Sequence, residues 1–277
     1  MQRILFLQSM WAMLSRHRDG FEPTLETNVQ RIIDARYDGV SLPFLGRHEV
    51  GQVAGLLEPR GMVMEAVCFP TVVDDLKPVL ELAAEFRPHH INLQPNVRPR
   101  RIQDCVSILE GWQRLAEQCD IPVYVETHRD RMTTDLLFTL DLLDQLPNLR
   151  LVADLSHYLV AREFAYPVSA ENHAYIRRIL DRAWALHGRV ASREQVQVEI
   201  SLPQHRIWLD LFLEWWRYGM QSWRTRAADN DSLVFVCELG PPPYAITDTQ
   251  GEELTDRWNE ALLLRETVAQ LWKNLDC

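Results

Sequence analysis

Four short apolar runs in this chain end on residues that can do chemistry. Val123-Tyr124-Val125 leads into Glu126, Leu151-Val152-Ala153 into Asp154, Ala185-Leu186 into His187, and Phe235-Val236-Cys237 into Glu238. A charged side chain finishing an apolar strand needs a compensating group, because an unpaired buried charge is costly. Three carboxylates and an imidazole gathered in one place call for a cation. With three oxygen ligands and one nitrogen the set suits Mn²⁺, Mg²⁺ or Co²⁺, and Zn²⁺ is acceptable, with positions left open for substrate oxygens. Taken singly, each residue is better explained as a helix cap or as a partner of Arg129, Arg162 or Arg189. Their recurrence on successive runs is what favours a shared divalent metal.

The elements that must position them form a series of eight apolar, β-branched-rich runs, at residues 4–8, 39–42, 62–69, 90–94, 122–126, 149–154, 185–190 and 233–238. Their spacing is close to the roughly 30 residues of one strand-helix crossover unit. Nearly continuous apolar character suits strands buried on both faces of a parallel sheet. Between them, 24–35, 104–118 and 134–146 place apolar residues at helical spacing, with Thr24 able to cap the first. Eight strands alternating with helices predict an α/β fold, a single (β/α)₈ TIM barrel domain spanning 1–277, with its active site at the carboxyl ends of the strands. An open doubly wound sheet would need a glycine-rich turn after the first strand, and Gln8-Ser9-Met10-Trp11 is not one. The longest gap, between runs seven and eight, predicts an insertion: a polar stretch at 192–204, then a helix carrying Trp208, Phe212, Trp215, Gly219 and Trp223 on one face. That stripe is expected to pack on the barrel, with a contact to a second copy of the chain, and so a homo-oligomer, as the other reading.

The 277 residues carry 29 Lys and Arg against 39 Asp and Glu, a net charge of −10. This argues against nucleic acid and against anionic membrane surfaces as partners. No run approaches the roughly 18 apolar residues of a membrane span. Five cysteines, scattered without a C-x-x-C pair, read as reduced thiols in a cytoplasmic protein rather than a disulfide framework or zinc ribbon.

The order Glu126, Asp154 with His157 three residues on, His187 and Glu238 resembles the metal site of the xylose-isomerase-like TIM barrels, a superfamily of sugar and sugar-phosphate isomerases and epimerases. The resemblance implies that Glu126, Asp154, His187 and Glu238 bind the metal, that Glu126 and Glu238 also exchange the substrate proton, and that His157 touches substrate or metal. The implied reaction is a proton shift next to a carbonyl of a carbohydrate, through an enediolate stabilised by the metal. The chain departs from many members after the seventh strand, where an Asp is common and His187-Gly188-Arg189-Val190 stands instead.

Further candidates for substrate contact lie near the strand ends. Gln94, with Asn92 and Asn96, could bind sugar hydroxyls; His128 projects to the same side as Glu126. Arg189 suits a phosphate or carboxylate on the substrate, or else a salt bridge that neutralises surplus acid. Tyr244, after the stiff Gly240-Pro241-Pro242-Pro243, could reach over the mouth. The same frame also resembles endonuclease IV, but that enzyme class needs more histidines and acids at strand ends than this chain supplies. A metal-dependent keto-polyol dehydratase, and a sugar-binding barrel without turnover, are the alternatives.

Overall fold

The computed structural model describes residues 1–16 and 22–276. Its strands are β1 (Arg3–Ser9), β2 (Gly39–Pro43), β3 (Val63–Cys68), β4 (His90–Leu93), β5 (Val123–Glu126), β6 (Leu151–Ala153), β7 (Ala183–Gly188) and β8 (Ser232–Cys237). They pair in parallel and in sequence order, and β8 closes on β1, giving a TIM barrel. Helices alternate with them: α1 (Leu25–Asp34), α2 (Arg47–Leu57), α3 (Lys77–Phe86), α4 (Ile102–Ala116), α5 (Leu136–Gln145), α6 (Ser156–Ala161), α7 (Ala170–Leu180), α8 (Arg206–Arg226) and α9 (Arg257–Lys273).

Local sequence sets the helix ends. The Thr24 hydroxyl accepts from the Thr27 amide at 3.2 Å and starts α1. Asp135 and Ser169 cap α5 and α7 in the same way. The last helix begins at Arg257, because Asp256 accepts from the amides of Trp258 and Asn259 while Glu253 bridges to Thr247. In α8 the stripe Phe212, Trp215, Gly219 and Trp223 is buried. The α7 side chain of Leu180 lies so near Gly219 that a Cβ there would meet Leu180 Cδ2 at 2.8 Å. Trp216 packs edge-on against Phe235 of β8 at 5.1 Å, so the aromatic helix is fastened to the barrel wall. The crossover that contains it runs through a loop at 189–202 and a single 3₁₀ turn, Pro203–His205.

Most of the core lies between strands and helices. A second, smaller cluster of Leu5, Leu7, Tyr124, Val152, Ala185, Val234 and Val236 fills the barrel interior. Alternate residues of a strand share a face. Two positions beyond Leu7, Tyr124, Val152, Ala185 and Val236 are therefore Ser9, Glu126, Asp154, His187 and Glu238, which form a polar floor above the apolar layer. No described helix is long and apolar enough to cross a membrane. Cys68, Cys105, Cys119 and Cys237 are free thiols.

Candidate active site at the carboxyl ends of the strands

The structure brings Glu126, Asp154, His187 and Glu238 together, each at most 9% exposed, but in an arrangement that spacing alone does not give. His187 spends both ring nitrogens on carboxylates. Its Nδ1 lies 3.1 Å from Glu238 Oε2 and 3.9 Å from Glu126 Oε2, and its Nε2 lies 3.0 Å from Glu65 Oε1. Burial opposes protonation of this ring, but Glu65, Glu238 and Glu126 outweigh it and raise its pKa well above the usual histidine value.

Glu65 was not among the sequence candidates. It sits within β3, where parallel pairing aligns it with Ser41 of β2 and His90 of β4. Ser41 Oγ donates to Glu65 Oε1 at 2.6 Å, and His90 Nε2 lies 2.8 Å from Oε2. Burial would raise this carboxyl, yet His187 and His90 hold it below the usual carboxylate range. The sign of its role was present in the sequence as a lone acid inside the apolar run 62–69, between Met64 and Ala66.

Glu126 and Glu238 are driven in opposite directions. Asn92 and Gln94 both donate side-chain amide hydrogens to Glu126 Oε2, the latter at 2.8 Å, while Oε1 has no hydrogen-bond partner among the described residues. Burial, opposed by His187 and reinforced by Glu238 and Asp154, pushes the Glu126 carboxyl up to about 8. Burial acts on Glu238 too, but His187 and Arg189 more than cancel it and hold that carboxyl at about 2. Gln94 and Asn92 thus steady an acid, and Gln94, expected from sequence to contact sugar hydroxyls, also lines a cavity beneath Trp11 and Tyr244.

Arg189 adopts the salt-bridge role. Its Nη2 donates to Glu238 Oε2 at 2.6 Å and lies 3.4 Å from Asp154 Oδ2, and the side chain is buried. Asp154 also closes a local turn before α6, since its Oδ1 accepts from the amide of Ser156 at 2.9 Å and from the Ser156 hydroxyl. His157 Nε2 approaches Asp154 Oδ2 at 3.4 Å, and the His157 ring packs on His128 with centroids 4.0 Å apart. Burial keeps both imidazoles neutral, His128 at about 4 and His157 well below the ordinary value. Tyr244 reaches over the mouth: its ring meets Trp11 edge-on at 5.1 Å, and Arg189 Cζ lies 4.8 Å from its centroid. Beneath them is a cavity of ≈ 280 Å³ whose wall includes Ser9, Trp11, Gln94, His128, Arg189, Glu238 and Tyr244. That is near the lower end of small-molecule sites.

Two groups of three side chains bring ligand-type atoms within 4.8 Å of one another: Glu126 with His187 and Glu238, and Glu126 with His128 and His157. Such groups suggest a divalent metal. Asp154 joins neither group among the described residues. The four-residue set Glu126, Asp154, His187 and Glu238 does not fit one ion, because the Arg189 guanidinium touches both Asp154 and Glu238, and Glu238 Oε2 is already shared by Arg189 and His187.

No family model matches the chain, and no curated protein matches it in sequence. Solved structures do match. A xylose isomerase-like TIM barrel protein from Mycobacterium smegmatis, solved in complex with magnesium, gives a TM-score of 0.67 at 11% identity over 98% of this chain and 97% of that one. An L-ribulose 3-epimerase gives 0.64 at 14% identity, covering 100% and 96%. A probable 3-DHS dehydratase from Bacillus anthracis gives 0.62 at 13%, covering 96% and 98%. At these identities the likeness concerns the fold, and the chain has the fold of the xylose-isomerase-like TIM barrels.

Proposed function

We propose that the protein is a sugar or sugar-phosphate isomerase or epimerase that moves a proton on the carbon next to a carbonyl. The observation that carries this reading is the pair of buried carboxyl groups, Glu126 and Glu238, whose surroundings push their proton affinities apart. Groups separated in this way divide naturally into an acid and a base. Glu238, ionised, takes the proton from the carbon beside the carbonyl. Glu126, protonated and with Oε1 unpartnered, returns a proton from its own place on the barrel wall. Asn92 and Gln94 fix the Glu126 carboxyl, and the His187 imidazolium faces both acids through its Nδ1. Trp11 and Tyr244 cover the mouth and exclude water, which strengthens each electrostatic contact below them.

The fold neighbours include sugar epimerases and isomerases, which supports this class of reaction. The dehydratase neighbour supports a second reading, in which removal of the same proton is followed by loss of water. Incubation with a panel of ketoses and ketose phosphates in deuterated water separates them. Deuterium next to the carbonyl in recovered sugar is the expected result, an unsaturated product would favour the dehydratase, and neither change across the panel would overturn proton transfer on sugars.

A further inference from the structure

We propose that Arg189 supplies, as a fixed guanidinium, the positive charge that a divalent ion bridging Asp154 and Glu238 would otherwise provide. The proposal deepens the proton-transfer reading by naming what faces the developing oxyanion.

Position is the first argument. A metal bridging these two acids must displace Arg189 Nη2, which lies 2.6 Å from Glu238 Oε2 and 3.4 Å from Asp154 Oδ2. The second is confinement. Arg189 is 1% exposed, and its Cζ lies 5.6 Å from the Trp11 ring centroid and 4.8 Å from that of Tyr244, so the guanidinium is held in the corner that these two perpendicular rings form. Charge balance is the third. His187 faces Glu65, Glu126 and Glu238, and Arg189 faces Asp154 and Glu238, so the acids already have two organic cations. The fourth is unspent donors. Arg189 Nε and Nη1 are buried without a hydrogen-bond partner among the described residues, while the side chain lines the cavity beside Gln94, His128 and Glu238. A buried guanidinium with free N–H groups is a ready partner for an oxyanion. As the proton leaves carbon for Glu238, the C–H electron pair becomes the new C=C bond and the carbonyl π pair moves to oxygen, where these donors meet it.

The test uses the purified full chain, dialysed against millimolar Mn²⁺, Mg²⁺, Co²⁺ or Zn²⁺ and then against buffer, followed by elemental analysis and thermal melting. The wild type is expected to keep no ion held by Asp154 and Glu238 and to show no metal-dependent rise in Tm that Asp154→Asn removes. Arg189→Ala, or Arg189→Gln if the alanine variant does not fold, should gain a metal-dependent rise in Tm that Asp154→Asn removes. Stoichiometric metal in the wild type, lost in Asp154→Asn, would overturn the proposal. Deuterium wash-in that persists in EDTA supports it, whereas wash-in that requires added Mn²⁺ overturns it and leaves the proton-transfer reading standing. Absence of wash-in under both conditions counts against proton transfer, and the binding measurements still decide the role of Arg189.

Discussion

Replacing Glu65 should be among the most damaging single changes in this protein, although it lies below the cavity. The carboxylate is fully buried and spends its oxygens on Ser41 at 2.6 Å, His90 at 2.8 Å and His187 at 3.0 Å. Glu65→Ala leaves the His187 ring without its lower partner and opens a cavity. Removing one partner of a buried pair costs about 3–5 kcal/mol. At roughly 2–4 °C per kcal/mol for a chain somewhat smaller than this one, Tm should fall by roughly 6–20 °C. Glu65→Gln keeps the volume and the Ser41 contact, so it should lose less. Urea denaturation and calorimetry at several pH values read the effect. The His187 pKa is raised in the folded state, so its contribution is full below the unfolded value of about 6.5 and is lost as pH rises through the folded one. The Glu65 pKa is depressed, so its contribution is present above about 4.5 and is lost as pH falls through the folded value. The penalty should therefore be largest between those limits. A loss below about 0.5 kcal/mol for Glu65→Ala near pH 6, within the range of ordinary surface changes, would refute the buried-network account.

Three further outcomes follow from the same geometry. If the protonated form of Glu126 returns the proton, exchange should decline as pH rises through about 8, a fall read directly from the pH profile of kcat/KM. Trp11→Ala removes one face of the Arg189 clamp; a cation–π contact worth about 0.5–2 kcal/mol translates to a roughly 2- to 30-fold loss of kcat/KM at unchanged fold, measured with circular dichroism as the control. Gly188→Ala places a methyl 2.3 Å from the Phe235 ring, which also packs edge-on against Trp216, so overpacking of about 1–3 kcal/mol should lower the urea midpoint.

The barrel was legible because every strand is buried on both faces and reads as an apolar run, with all eight runs matching strands β1 to β8. The convergence of Glu126, Asp154, His187 and Glu238 was legible for a related reason: period-two alternation carries the inward face from Tyr124, Val152, Ala185 and Val236 to the next inward position. What sequence did not reveal depends on register across strands. Ser41, Glu65 and His90 stand far apart in the chain and meet only because β2, β3 and β4 align them. A search confined to strand ends passes over Glu65, which sits mid-strand. Likewise the spacing of His187 and Arg189 puts both on one face, but the pairing of β7 with β6 and β8 brings only Asp154 and Glu238 beside them, and Glu65 meets His187 from β3, across the barrel. Hence the residues read as ligands of one ion divide between an imidazole bound to Glu65 and Glu238 and a guanidinium bound to Glu238 and Asp154.

The division of labour between the two glutamates is tested most directly by deuterium wash-in with wild type, Glu126→Gln and Glu238→Gln side by side, on whichever ketose the panel identifies, with folding checked by melting. The account predicts rapid incorporation next to the carbonyl by the wild type and its loss in each variant while the fold is retained. Incorporation by either variant at the wild-type rate would contradict it.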